Sequence, residues 1–140
     1  MVLRYDARAS TKDVDVRIVS PEREQMVRDL VPVVAAEMDL PEDWLNDGAK
    51  GYIERVDGGS TLFQSQGIVV RAPAPEHMLA LKLMAWRDDT DYADAFVFLR
   101  ELPSEKREVW ALVEPLLIEA YAQKASYAFE ELWEVANGSR

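Results

Sequence analysis

Asp13 and Asp15 stand two positions apart in the segment Asp13-Val14-Asp15-Val16-Arg17-Ile18-Val19. On an extended strand alternate residues share a face, so the two carboxylates leave the same side with Cα atoms roughly 6–7 Å apart. Such a pair can grip one hard cation from two directions, as Mg2+ requires when its other ligands are water and phosphate oxygens. The same spacing is common on ordinary solvated strands, so both readings stay open on the pair alone. Lys82 is the second candidate, because a helical wheel sets it in an apolar sector made by Met78, Leu79, Ala85 and Trp86. A lysine there must snorkel or meet a carboxylate, since an unpaired buried ammonium is strongly disfavoured. Asp13, Asp15 and Asp94 are its expected partners, either in a ligand site or in a purely structural ion pair.

Arg87, Asp91 and Asp94 follow at i, i+4 and i+7, which aligns them on one helical stripe if the helix runs unbroken. Arg87-Asp88-Asp89-Thr90 has the composition of a turn, and a solvated charged face is the plain alternative. Asn46, Asp47 and Lys50 gather near Trp44 as candidate pocket residues or as turn formers. His77 is the only histidine and there is no cysteine, so a Cys-His pair, a multi-histidine metal site and Cys-ligated zinc are excluded. His77 reads as a helix-terminus residue.

The elements that must position these groups follow from periodicity. Residues 13–19 alternate, with Val14, Val16 and Ile18 on one face and Asp13, Asp15 and Arg17 on the other, which predicts a half-buried strand. Ser20-Pro21-Glu22 supplies an N-cap, a proline at the first helical position and an acid in the first turn. A helix is expected from there to about Met38, kinked at Pro32. Residues 40–47 read as a loop and a short helix. Thr61 to Gln64 and Ile68 to Arg71 read as two strands joined by a turn at Ser65-Gln66-Gly67. Beyond Pro75 the period changes to 3.6, predicting helices at 75–87, 90–101, 104–122 and 126–136, the third capped by Ser104 and bent at Pro115.

This order predicts an α+β fold: a small mixed sheet with helices packed on it and a C-terminal helical part. With 140 residues, 49% hydrophobic and 30% charged, one globular domain spanning 1–137 is expected. The formal charge of -10 repels duplex DNA, although Arg4, Arg8, Lys12 and Arg17 cluster near the N-terminus. No apolar run is long enough for a signal peptide or a membrane span, so a soluble, cytoplasmic protein is expected.

Three separated segments resemble the nucleotidyltransferase-like proteins of bacteria, in particular small ones similar to abortive-infection toxins. Ser10-Thr11-Lys12-Asp13-Val14-Asp15 is similar to the family's Ser/Thr-x-Asp-hydrophobic-Asp strand. Residues 40–51, Leu-Pro-Glu-Asp-Trp-Leu-Asn-Asp-Gly-Ala-Lys-Gly, resemble the Leu-Pro-x-Asp-Trp-Leu-Asn-Asp-x-x-Lys-Gly signature of one branch. Residues 79–87 followed by Asp91-Tyr92-Ala93-Asp94 resemble its Leu-x-x-Lys-Leu-x-Ala-x-Arg…Asp-x-x-Asp helices.

The resemblance implies a nucleotidyltransferase-like fold in which Asp13 and Asp15 ligate Mg2+ and serve catalysis together with Lys82. Thr11, Lys12, Lys82 and Arg87 would contact a nucleoside triphosphate, with Asp91, Asp94, Asn46, Asp47 and Lys50 in support. Family members carry a Gly-Gly or Gly-Ser turn upstream of the acidic pair; the residues before Asp13 hold none, and the strand Ile68-Val69-Val70-Arg71 offers no third carboxylate. An N-terminally truncated member lacking the first helix and the glycine-rich loop is therefore expected. Its function is either Mg2+-dependent nucleotidyl transfer, in a toxin–antitoxin setting, or that of a degenerate descendant. The alternative is a catalytically inactive interaction module of the same fold, for which a homodimer or a dedicated protein partner is expected.

Overall fold

A computed structural model describes residues 14–51, 59–87 and 90–138 of the chain. It is an α+β structure whose described residues fall into two compact units, 14–51 and 59–138.

In the first unit, strand β1 (Val14–Asp15) pairs in parallel with β2 (Leu45–Asn46), setting Val14 opposite Leu45 and Asp15 opposite Asn46. The alternation read from the sequence extends past the paired residues: Val14, Val16 and Ile18 are half-buried while Asp15, Arg17 and Val19 are exposed. The ladder itself is short, continued by the bond from the Val16 N–H to the Asn46 carbonyl.

Helix α1 (Pro21–Met38) has the expected bounds and continues through Pro32. Ser20 holds the extended N-cap conformation, yet its hydroxyl makes no capping bond. At the other end Asp39 adopts a left-handed conformation (φ 53), and the Leu40 N–H returns to the Ala35 carbonyl at 2.9 Å. That closure satisfies an end carbonyl of the helix, and aspartate is one of the few side chains that tolerates it.

Residues 40–47 correct the sequence reading, since they form no helix but deliver β2. The correction has a physical cause: the Trp44 indole N–H donates to the Val31 carbonyl at 3.0 Å, anchoring the segment on α1, and the Trp44 carbonyl accepts from the Val14 N–H. A 3-10 turn, Gly48–Gly51, follows.

The second unit begins with an antiparallel hairpin of β3 (Ser60–Ser65) and β4 (Ile68–Ala72), joined by Gln66-Gly67 with a bulge at Leu62. Gly67 (φ 90) supplies the positive φ of the tight turn. Four helices follow: α2 (Pro75–Met84), α3 (Thr90–Leu99), α4 (Lys106–Val113) and α5 (Glu119–Gly138). Their core is one cluster in which Leu79, Leu83 and Met84 of α2 are buried with Phe98 of α3, Val109 and Val113 of α4, and Phe129 and Leu132 of α5. On α5 the buried positions Ala125, Ala128, Phe129 and Leu132 follow the 3–4 spacing of a single helical face.

The last two helices depart from their expected bounds. Pro115 ends α4 rather than bending it: without an N–H it cannot continue the ladder, and the chain passes through a 3-10 turn, Glu114–Leu116, into an extended Leu117. The Ile118 N–H then meets the Met84 Sδ at 3.4 Å, and α5 restarts at Glu119. No break follows at 123–125, where Gln, Lys and Ala favour helix. Among the described residues no helix is long and apolar enough to cross a membrane.

Candidate functional site

Lys82 lies in the last turn of α2 and Asp91 in the first turn of α3. A cation at a helix C-terminus and an anion at an N-terminus each complement the backbone dipole, so the two helix ends favour the charges they carry. The Lys82 Nζ lies 2.7 Å from Asp94 Oδ2 and 3.3 Å from Asp91 Oδ1. Both carboxylates are almost wholly buried, with side-chain exposures of 4% for Asp91 and 6% for Asp94, against 21% for Lys82. The other Asp91 oxygen accepts the Arg87 backbone N–H at 2.9 Å, and the exposed Arg87 side chain stands 3.9 Å from it.

Arg87 is therefore not on the helical stripe that unbroken periodicity would give. The chain leaves α2 at Ala85 and turns before α3, so Arg87 reaches Asp91 chiefly through its backbone. Among the described residues, Lys82 finds its expected partner Asp94, joined by Asp91. His77 is buried in the first turn of α2, in accord with its reading as a helix-terminus residue.

The remaining candidates among the described residues lie in the first unit. Asp15 and Asn46 face each other across β1 and β2, and a Cβ built on Gly48 would stand 2.9 Å from both Asp15 Oδ1 and Asn46 Oδ1. The absence of a side chain at Gly48 thus leaves room for two converging oxygens, and the Gly48 N–H donates to Asn46 Oδ1 at 2.8 Å. Such a pair fits part of the oxygen shell of Mg2+, which commonly takes one or two carboxylates and completes itself with water and phosphate. Among the described residues no group of three His, Cys, Asp or Glu side chains converges. Thr11, Lys12 and Asp13 lie outside the described residues, as does the Lys50 side chain.

Asp47 belongs to a different arrangement. The Arg28 Nη2 donates to Glu24 Oε1 and to Asp47 Oδ2, each at 2.6 Å, clasping the end of β2 to α1. The bonds to Glu24 and then Asp47 raise the Arg28 pKa above its ordinary value, so the guanidinium stays charged at any working pH. Beside the clasp lies a hollow of about 210 Å³ lined by Arg17, Glu24, Arg28 and Asp47 together with Ile18, Val19 and Pro21. Arg28 and Glu24 escaped the sequence reading. Their i, i+4 spacing on a helix was the available signal, whereas the reach to Asp47 spans nineteen positions and left no local trace.

Compared with known proteins, the chain matches no protein family, no curated protein and no solved structure.

Proposed function

We propose that this chain is a degenerate, nucleotidyltransferase-like protein that acts by binding a protein partner rather than by transferring nucleotides. The observation that carries this reading is the state of Lys82. Its ammonium already has two buried carboxylate partners, Asp94 at 2.7 Å and Asp91 at 3.3 Å. To reach that ammonium an incoming triphosphate would have to displace a buried carboxylate from its cation, which is strongly unfavourable. The exposed apolar side chains on α1 and on the β3–β4 hairpin, such as Leu30, Phe63 and Ile68, support a role in association.

Nucleotidyl transfer is the second reading, favoured by the convergence of Asp15 and Asn46 over Gly48. In that case these two oxygens, with Asp13, would hold Mg2+, which would bring Lewis-acid stabilisation to a phosphoryl oxygen. Isothermal titration with Mg2+ and each of the four nucleoside triphosphates separates the two. No saturable heat with any of them is expected for a binding module; saturable heat that Asp15→Asn removes would establish the second reading instead.

A further inference from the structure

Helix α1 is apolar over two separate faces. Val27, Val31, Val34 and Ala35 form the half-buried to buried side, and Val27 and Val31 share a small hollow with Val16, Ile18 and Leu45. The second face is open: Met26, Leu30 and Val33, at spacings of four and three, are 49%, 50% and 50% exposed. Three large apolar side chains in a row on one helix are more than the scattered exposure usual on a surface.

The ends of this row identify what covers it. Arg23 and Glu37 each lie seven residues from Leu30, on the same line of the helix, and both are exposed. Seven residues advance the helix by about 10 Å. A second α1 laid antiparallel about a two-fold axis through Leu30 therefore brings Arg23 level with the partner copy's Glu37, and repeats the contact at the other end. Between these ion pairs Met26 comes within one residue, about 1.5 Å of rise, of the level of the partner copy's Val33, and Leu30 lies against its own equivalent. Asp29, which flanks the row, accepts from Gln25 at 2.8 Å on the side away from it. The row is thus complementary to itself in apolar register and in the charges at its two ends, as an isologous interface requires.

We propose that the Met26-Leu30-Val33 face of α1 is the seam of a homodimer, formed by antiparallel pairing of α1 with α1 of a second copy and bounded by Arg23–Glu37 pairs. This inference rests on the binding-module reading and names its partner as a second copy of the chain. With three apolar side chains from each copy and an ion pair at each end, the seam is expected to form and dissolve with concentration.

Sedimentation of the full chain over a concentration series tests it, with circular dichroism of every variant as a check on folding. The wild type is expected to pass from monomer to dimer, and Leu30→Asp, at a half-exposed position that the fold tolerates, to remain monomeric. Arg23→Glu or Glu37→Arg alone turns two attractive contacts into two repulsive ones and is expected to weaken the dimer roughly tenfold. The double variant Arg23→Glu/Glu37→Arg restores both pairs and is expected to recover it. A monomer at every concentration would assign the row to another occupant and overturn the proposal, and so would a dimer indifferent to Leu30→Asp or a double reversal without recovery. A dimer that ignores Leu30→Asp would leave the binding-module reading standing, because that reading falls only on nucleotide binding.

Discussion

At the scale of single residues, the chemistry of the second unit turns on one ammonium between two buried carboxylates. Removing the cation leaves both acids without it in a nearly dry setting, a change that costs on the order of 3 kcal/mol when a buried pair is broken. Lys82→Ala is expected to lower stability by about that amount in a denaturant titration. Replacing all three groups together, as Lys82→Met/Asp91→Asn/Asp94→Leu, is expected to recover most of the loss, because the desolvation of the charges disappears with them. A triple variant no more stable than Lys82→Ala would show that the three side chains do more than neutralise one another. Part of this group was legible in the sequence: the helical wheel exposed Lys82 as a charge in an apolar sector and named Asp94 among its partners. Asp91 was read on a stripe with Arg87 and as a supporting residue of the resemblance, but not as a partner of Lys82, because the turn between α2 and α3 replaces the helical geometry that the spacing assumed. The Arg28 clasp was not legible, since its two ends meet only after α1 and β2 have come together.

Among the elements, those with strong local patterns matched their expectations and those fixed by distant partners did not. Helix α1 carries its own start signal at Ser20-Pro21-Glu22, and the hairpin carries its turn at Gln66-Gly67, so both were readable. Strand β2 has two residues and no period of its own; it is a strand because β1 lies beside it and because Trp44 is tied to the Val31 carbonyl. The break between α4 and α5 follows from the missing N–H of Pro115, which weighs more than the apolar period that runs past it. Gly59 offers a test at this scale. Its φ is +85, and an added Cβ would stand 1.9 Å from the Ala72 carbonyl oxygen, backbone that cannot yield without shifting β4. Gly59→Ala is expected to destabilise the protein by about 2 kcal/mol through strain and clash together. Gly67→Ala, whose Cβ meets open space, should cost less because only its positive φ is strained. Equal losses at the two positions, measured by denaturant unfolding, would place the cost in the conformation alone and remove the role of the Ala72 carbonyl.

For the molecule as a whole, the net charge of -10 and the distribution of its pairs decide what it can attract. Lys82, Arg28 and Lys106 are each engaged by carboxylates, Lys106 with Glu130, so these three positive charges are already neutralised within the fold. An acidic surface of this kind disfavours anionic polymers and leaves apolar contact with charged margins, as on α1, the stronger basis for association. The whole-molecule reading and the state of Lys82 meet in one comparison: the thermal unfolding midpoint of the wild type and of Lys82→Met, each with and without Mg2+ and a nucleoside triphosphate in excess. A ligand that binds only the folded chain raises the midpoint. If the lysine is structural, Lys82→Met unfolds at a lower temperature and the nucleotide moves neither protein. A midpoint that rises with Mg2+ and nucleotide in the wild type, and fails to rise in Lys82→Met, would contradict the assignment and make Lys82 a phosphate-binding residue.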